Sequence, residues 1–369
     1  MRRAFKKVKK NRGVPGVDGV TVSMFEANLE QNLDSLMFDL KHYGSYSPSP
    51  VRRVYISKGN GKLRPLGIPT VRDRVAQEVV RRLLEPIFDP TFADSSFGFR
   101  PGRNAHQAIE AVLAGLRSGL RSLADCDIEA CYDNFSTEVV IDRVAERVAD
   151  GNILDLIRRF LTAGYVEDGS VFPSEKGTPQ GGVISPLLAN IVLDVLDQRL
   201  IRLGFRIVRY ADDFVVLCAS RAAAVQALAL VKEILAPLGL SLSIEKTRVA
   251  NRGSGFDFLG FRFNRNSISI RPKSEKKFKD KIRELTRRSH NFDQEAIVKV
   301  GRVLRGFAQY FATPFSDVSD SFRILDAWVR RRLRCMKFKR ISCNDNWRFP
   351  NHRFAALGLP SLGSFIPAV

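Results

Sequence analysis

Two acidic sites stand where strand chemistry disfavours charge. Asp125-Cys126-Asp127 ends a short apolar run that begins at Leu123, and Asp212-Asp213 interrupts a longer one between Phe205 and Ala219. Alternate residues of a strand share a face, so Asp125 and Asp127 point the same way, whereas Asp212 and Asp213 diverge unless a turn rotates them. Adjacent carboxylates repel one another, and a divalent cation bound between them relieves the repulsion. Mg²⁺ prefers oxygen ligands, and two such ions can clamp the attacking and leaving oxygens of a phosphoryl transfer. Taken alone, Asp212-Asp213 also suits a polar hairpin turn, where Asp is common.

The charge balance points to a polyanionic partner. Lys and Arg number 59 against 39 Asp and Glu, a formal net charge of +20. Residues 271–349 carry 21 Lys/Arg against 9 Asp/Glu, and the first twelve residues hold seven cations and no acid. Such an excess self-repels until it is neutralised; nucleic acid is the commonest partner and an anionic membrane surface the lesser one. A hydrophobic share of 44% excludes a largely disordered chain. No apolar run approaches bilayer-spanning length, and no signal core follows the basic start, so the expectation is a soluble, cytoplasmic protein with no membrane partner. The five cysteines form no C-x-x-C pair and, with four scattered histidines, offer no zinc spacing.

The elements around the acids can be sketched from pattern. Arg52 to Ile68 reads as a β-hairpin around Gly59-Asn60-Gly61, and Arg74 to Phe88 has helical periodicity interrupted by Pro86. A Gly/Pro/Arg-rich loop precedes a helix at 105–116, and Leu123 to Ile128 is a strand. Helices are expected near 137–148, 152–163, 184–203 and 222–235, with two β-runs meeting at Ala211-Asp212-Asp213 and strands over 241–270. From Ser274 the chain is mostly helical and basic. Strand, helices, hairpin, helix and strands in that order suit an α+β unit related to the split βαβ plan.

The motifs between these elements narrow the reading. Tyr210-Ala211-Asp212-Asp213 resembles the Y-x-D-D signature of reverse transcriptases, set in a hairpin. The run from Asp127 to Asn134 resembles that family's first catalytic motif. The run from Gly177 to Asn190 (GTPQGGVISPLLAN) resembles the group II intron form of the nucleotide-pocket motif. Arg64 to Pro69 and Gly98 to Arg103 resemble its finger motifs; Glu245-Lys246-Thr247 and Phe258-Leu259-Gly260-Phe261 match its later palm motifs. The resemblance covers roughly residues 10–340. It implies a right-hand polymerase: a basic arm and fingers over 1–120, a palm with interleaved fingers helices over 121–272, and a helical thumb or maturase-like region with its tail over 273–369.

It also implies roles. Asp127, Asp212 and Asp213 would hold two Mg²⁺ ions, with Mn²⁺ as a substitute, and Asp125 and Asp133 are left as structural. Tyr132 would lie beneath the incoming sugar and exclude a 2′-hydroxyl; many relatives carry Phe there. Gln180 would line the nucleotide pocket at a helix mouth, and Lys58 and Arg64 would meet the triphosphate, with Arg52 as readily a solvated charge. Lys246 would protonate departing pyrophosphate, or simply pair with Glu245. Phe258, Leu259 and Gly260 would hold the primer end. Arg330 and Arg331, on a helix ringed by cations, would meet primer and template.

The implied partners are an RNA template, a DNA or RNA primer, dNTPs and a structured group II intron RNA. Phe307 stands where relatives carry Trp, and the expectation is that only a tail from Asn351 to Val369 follows the thumb, without an endonuclease module. Three readings stay open at this level: RNA-directed DNA synthesis by an intron-encoded or free-standing repair or defence enzyme, an RNA-binding maturase, and an RNA-directed RNA polymerase. Tyr132 and the finger motifs disfavour the last.

Overall fold

A computed structural model describes residues 1–42, 44–59, 62–174, 181–342 and 344–367, apart from the side chains of residues 58, 59 and 62. The chain forms two compact units, Met1–Val249 and Ala250–Val369. Among the described residues no helix is long and apolar enough to cross a membrane.

The first unit opens with α1 (Arg2–Lys10), which buries Ala4, Phe5 and Val8 on one stripe and leaves its cations outside. It packs on α4. The expected arm is thus an amphipathic helix. Next come α2 (Val22–Ala27), α3 (Leu29–Lys41) and the hairpin of β1 (Val51–Gly59) with β2 (Lys62–Ile68). Helix α4 (Val71–Phe88) is capped by Thr70, whose hydroxyl accepts from the Asp73 N–H, and α5 (Ala105–Arg117) starts in a capping box of Asn104 and Gln107.

Strand β3 (Ser122–Asp127) leads through α6 (Cys131–Asn134), α7 (Thr137–Ala145) and α8 (Gly151–Thr162) to β4 (Tyr165–Glu167) and β5 (Ser170–Phe172). The sequence pattern gave no sign of these last two strands. They extend the fingers hairpin into the sheet β2-β1-β4-β5, and three-residue strands carry too few alternations to be read locally. Helix α9 (Ser185–Arg202), strands β6 (Arg206–Tyr210) and β7 (Asp213–Cys218), helix α10 (Arg221–Leu235) and β8 (Arg248–Asn251) complete a second sheet, ordered β6-β7-β3-β8. Helices α9 and α10 pack on this sheet through a core that includes Ala124, Cys126, Phe214 and Val216.

The second unit joins a small sheet, β9 (Phe256–Phe258), β10 (Phe261–Phe263) and β11 (Ile268–Ile270), to α11 (Pro272–Leu285), α12 (Gln294–Phe311) and α13 (Ser319–Phe338). Helices α14 (Asp345–Arg348) and α15 (Asn351–Ala356) follow. Residues 250–272, expected with the palm, therefore cluster with the helical region. The cause is aromatic: the buried Phe261 ring lies 4.9 Å from Phe311 and 5.6 Å from Tyr310.

Phe214 is fully buried beneath α9 and α10. Its truncation in Phe214→Ala should destabilise the protein by about 3–5 kcal/mol, read as a fall in the urea midpoint. A wild-type midpoint would mean that the helices do not seal this face of the sheet.

Candidate active site

Strands β3 and β7 run antiparallel with Asp127 opposite Asp213 and Asp125 opposite Val215. Opposed residues of such a pair project to one face, so Asp125, Asp127 and Asp213 share a face, while Cys126 and Phe214 fill the core on the other. Tyr210 pairs with Asp213, which leaves Ala211-Asp212 as a two-residue loop, and Ala211 takes φ +60°. A positive φ at the first loop position is the mark of a hairpin turn whose twist matches its strands. It takes Asp212 out of the strand alternation.

Electrostatics shows where Asp212 then lies. Burial pushes its carboxyl up and Asp127 adds to the rise, while its own backbone N–H, Arg64 and Lys246 pull it down. Tyr132, presented by α6 behind the left-handed Ala130 (φ +43°), is likewise raised by burial first and then by Asp212. Asp127, Asp212, Tyr132, Arg64 and Lys246 thus lie within one electrostatic neighbourhood, with Asp213 directly across from Asp127.

Lys246 was expected to protonate departing pyrophosphate or to pair with Glu245. Its Nζ lies 2.6 Å from Asp127 Oδ1. The placement comes from the backbone: the Ser243 N–H donates to the Asp127 carbonyl and the Glu129 N–H to the Ser241 carbonyl, at 2.8 and 2.9 Å. Asp125 pairs with Arg248 at 3.1 Å, in keeping with a structural role. Among the described residues no group of three or more His, Cys, Asp and Glu side chains encloses a ready-made ion site. In kind, the donor set still suits a hard divalent cation: carboxylates face one another, and their excess charge has drawn an ammonium onto Asp127.

The nucleotide-pocket loop is described from Gly181 onward; Gln180 and the Lys58 side chain lie outside the described residues. Gly181 has φ +120°, and a Cβ there would sit 2.3 Å from the Gly67 carbonyl oxygen, so only glycine fits against β2. The Val183 N–H donates to Gln77 Oε1 at 2.7 Å. Gln77, a buried polar residue of α4, gave no signal in the sequence. Arg52 is half-buried and turns to the amino-terminal segment, with Nη2 donating to the Pro15 carbonyl at 2.8 Å. Also unforeseen is a buried group beneath the acidic turn, formed by Arg209, Asp197 and Asn190.

In the second unit, Leu259 and Gly260 form the turn of β9 and β10 with φ +46° and +86°. The Tyr310 hydroxyl donates to the Leu259 carbonyl at 2.7 Å and the Arg271 N–H to that of Gly260 at 3.0 Å. Phe258 is core, so its ring is not available to a primer. The ring of cations expected on α13 is also corrected. Arg330 lies 3.1 Å from Asp326, Arg332 donates to Thr286, and Arg334 donates to the Phe349 carbonyl and Asn351. Arg332 and Arg334 tie the helix to neighbouring segments of its own unit, and Arg330 pairs along the helix itself. Arg331 remains exposed, on a groove of about 700 Å³ shared with Ile324, Trp328 and Asn346.

Comparison with known proteins places this geometry. Residues 56–263 match the family model described as reverse transcriptase (RNA-dependent DNA polymerase), and residues 275–352 match the group II intron maturase-specific domain. Protein YkfC of Escherichia coli K12 is 35% identical over an alignment of 298 residues that covers 69% of this chain and 77% of that protein. The group II intron-encoded protein LtrA of Lactococcus lactis subsp. cremoris is 39% identical over 211 residues, 57% of this chain. The match spans only 35% of LtrA. Among solved structures, telomerase from Candida albicans, in complex with a fragment of telomeric RNA, has TM-score 0.50 at 14% identity, over 86% of this chain and 64% of that one. This likeness concerns the fold.

Gln77→Leu strands the Val183 N–H without a partner. The expected outcome is a loss of about 1–3 kcal/mol in urea unfolding and a raised KM for nucleotide in an extension assay. An unchanged KM would separate Gln77 from the pocket.

Proposed function

The chain belongs to the reverse transcriptase (RNA-dependent DNA polymerase) family and carries a group II intron maturase-specific domain, and on that premise we propose that it extends a primer 3′-hydroxyl with dNTPs on an RNA template. One observation carries the reading: Asp127 faces Asp213 across β3 and β7, with Asp212 in the adjoining turn. A scaffold that only bound RNA would have no use for clustered acids beside a polyanion.

Reverse transcriptases generally use divalent metal ions. Here Asp127, Asp212 and Asp213 would hold two Mg²⁺ ions, or Mn²⁺ in their place, which supply charge stabilisation to the attacking and leaving oxygens. Tyr132, packed edge-on against Phe135 and within the field of Asp212, sets the floor under the sugar and excludes a 2′-hydroxyl. Arg64 meets the triphosphate with a planar fork, and Lys58 and Gln180 keep the pocket roles that the family resemblance gives them. We infer that Lys246, whose Nζ contacts Asp127, gives a proton to departing pyrophosphate. The Leu259-Gly260 turn, with both carbonyls anchored, offers a rigid seat for the primer end, and Arg331 with Trp328 offers cation and ring to nucleic acid.

A second role has its own support in the match of residues 275–352 to the maturase-specific domain. We infer that the same chain binds structured intron RNA and assists its splicing. An intron-encoded protein is favoured over a free-standing repair or defence enzyme by the likeness to LtrA.

Primer extension on an RNA template with Mg²⁺ tests the first role. Wild type should incorporate dNTPs in preference to NTPs, and Asp212→Ala should reduce extension to background; undiminished extension would remove the assignment. Tyr132→Ala should admit NTPs. Splicing of a cognate intron by Asp212→Ala at the wild-type rate would show that the two roles are separable.

A further inference from the structure

The most deeply buried cation of the first unit takes no part in the chemistry above. Arg209 immediately precedes Tyr210, and both it and Asp197 of α9 are 0% exposed. Arg209 Nε lies 2.9 Å from each Asp197 carboxylate oxygen, and Nη2 donates to Oδ2 at 2.6 Å. Nη1 donates to Asn190 Oδ1 at 2.9 Å and to the Ala211 carbonyl at 3.0 Å. Asn190 in turn donates from Nδ2 to the Gly98 carbonyl at 2.9 Å. A Cβ on Gly98 would meet the Ala211 nitrogen at 2.4 Å, so the same loop presses on the turn from outside. Backbone bonds of 2.9 Å from Phe97 to Arg209 and from Arg209 to Ser95 complete the clamp.

An ion pair this deep is a poor source of stability, because desolvating both charges offsets their attraction and an apolar pair of similar volume often does as well. An apolar pair cannot hold a carbonyl at a chosen point. A guanidinium can, because its planar fork serves several acceptors at once. Its acceptor here is Ala211, a non-glycine residue at φ +60° that no local preference would keep there.

We propose that Arg209 is the positioning residue of the acidic turn: held by Asp197 and Asn190, it clamps the Ala211 carbonyl and so sets the direction in which Asp212 projects toward Asp127. The inference rests on the assignment of Asp212 as a metal-holding carboxylate. It adds that this carboxylate is aimed from within the core, by residues that touch neither substrate nor ion.

The test removes both charges together, as Arg209→Met with Asp197→Leu, so that no unpaired ion is left behind. Mn²⁺ affinity without nucleotide is read by electron paramagnetic resonance, alongside kcat and KM for dNTP and the urea midpoint. Mn²⁺ affinity should fall about tenfold or more, as when groups that orient metal ligands are lost. The kcat should fall about 100-fold, the scale of an ångström-level misplacement, with KM little changed. Arg209→Lys, which keeps the charge without the fork, should fall between. Wild-type kcat and Mn²⁺ affinity in the folded double variant, or a loss confined to the urea midpoint, would overturn the proposal and leave the network merely structural. Should the double variant not fold, Asn190→Ala poses the same question with the ion pair intact: unchanged kcat and Mn²⁺ affinity overturn the proposal. Asp212→Ala run in parallel separates the two levels. Extension retained there removes the Asp212 assignment and this inference with it; extension lost there beside an unaffected double variant removes only the role of Arg209.

Discussion

The register of β3 against β7 is the constraint on which the acidic cluster rests. Side chains alternate with period two, so a slip of one residue would turn Asp127 into the core and place Cys126 opposite Asp213. The register is held from the apolar side, where Ala124, Cys126, Phe214, Val216 and Cys218 are buried together against α9 and α10. On the acidic face, α5 covers the far end, with Gly115 pressed close to Leu217, and leaves the end that bears Asp127 and Asp213 open. Burial of one face thus aligns charges on the other.

Aligned carboxylates create a second problem, which the surrounding cations address. Lys246 sits on Asp127 and Arg248 on Asp125, while Arg64 and Lys246 act against the rise that burial imposes on Asp212. Each comes from a different part of the chain: a fingers strand, the turn after α10, and the edge strand β8. The site is therefore a meeting of charges rather than a local motif, and its electrostatic balance depends on both flanks of the sheet. Net charge alone would have given a poorer account. Of the arginines on α13, Arg330, Arg332 and Arg334 serve the fold of their own unit.

The two units divide the labour without dividing it where a strand–helix boundary would suggest. The first holds the acids and the loop from Gly181 that packs on β2. The second holds the hairpin of β9 and β10, packed through Phe261 against α12, together with the maturase-specific segment. The aromatic contacts that draw residues 250–272 to the helices also anchor the Leu259-Gly260 turn, so packing and presentation are one arrangement.

Much of this was legible in the sequence, for local reasons. Period-two and period-3.6 patterns placed β3, β6, β7, α9 and α10 close to where they are found, because strand and helix sterics act over a few residues. The acids stood out because they broke those patterns, and the motif order named the family. What the sequence could not show were partners distant along the chain. Gln77 meets Val183, Lys246 meets Asp127, and β4 pairs with β1, each across several intervening helices and strands whose path only packing decides. Arg209 and Asp197 are separated by only twelve residues, yet a sequence offers no way to tell a buried arginine from an exposed one. Residue types and their alternation were determined by the sequence itself. Which long polar side chain reaches which partner was decided by the tertiary structure, because flexible stems have many rotamers and only surrounding atoms select one.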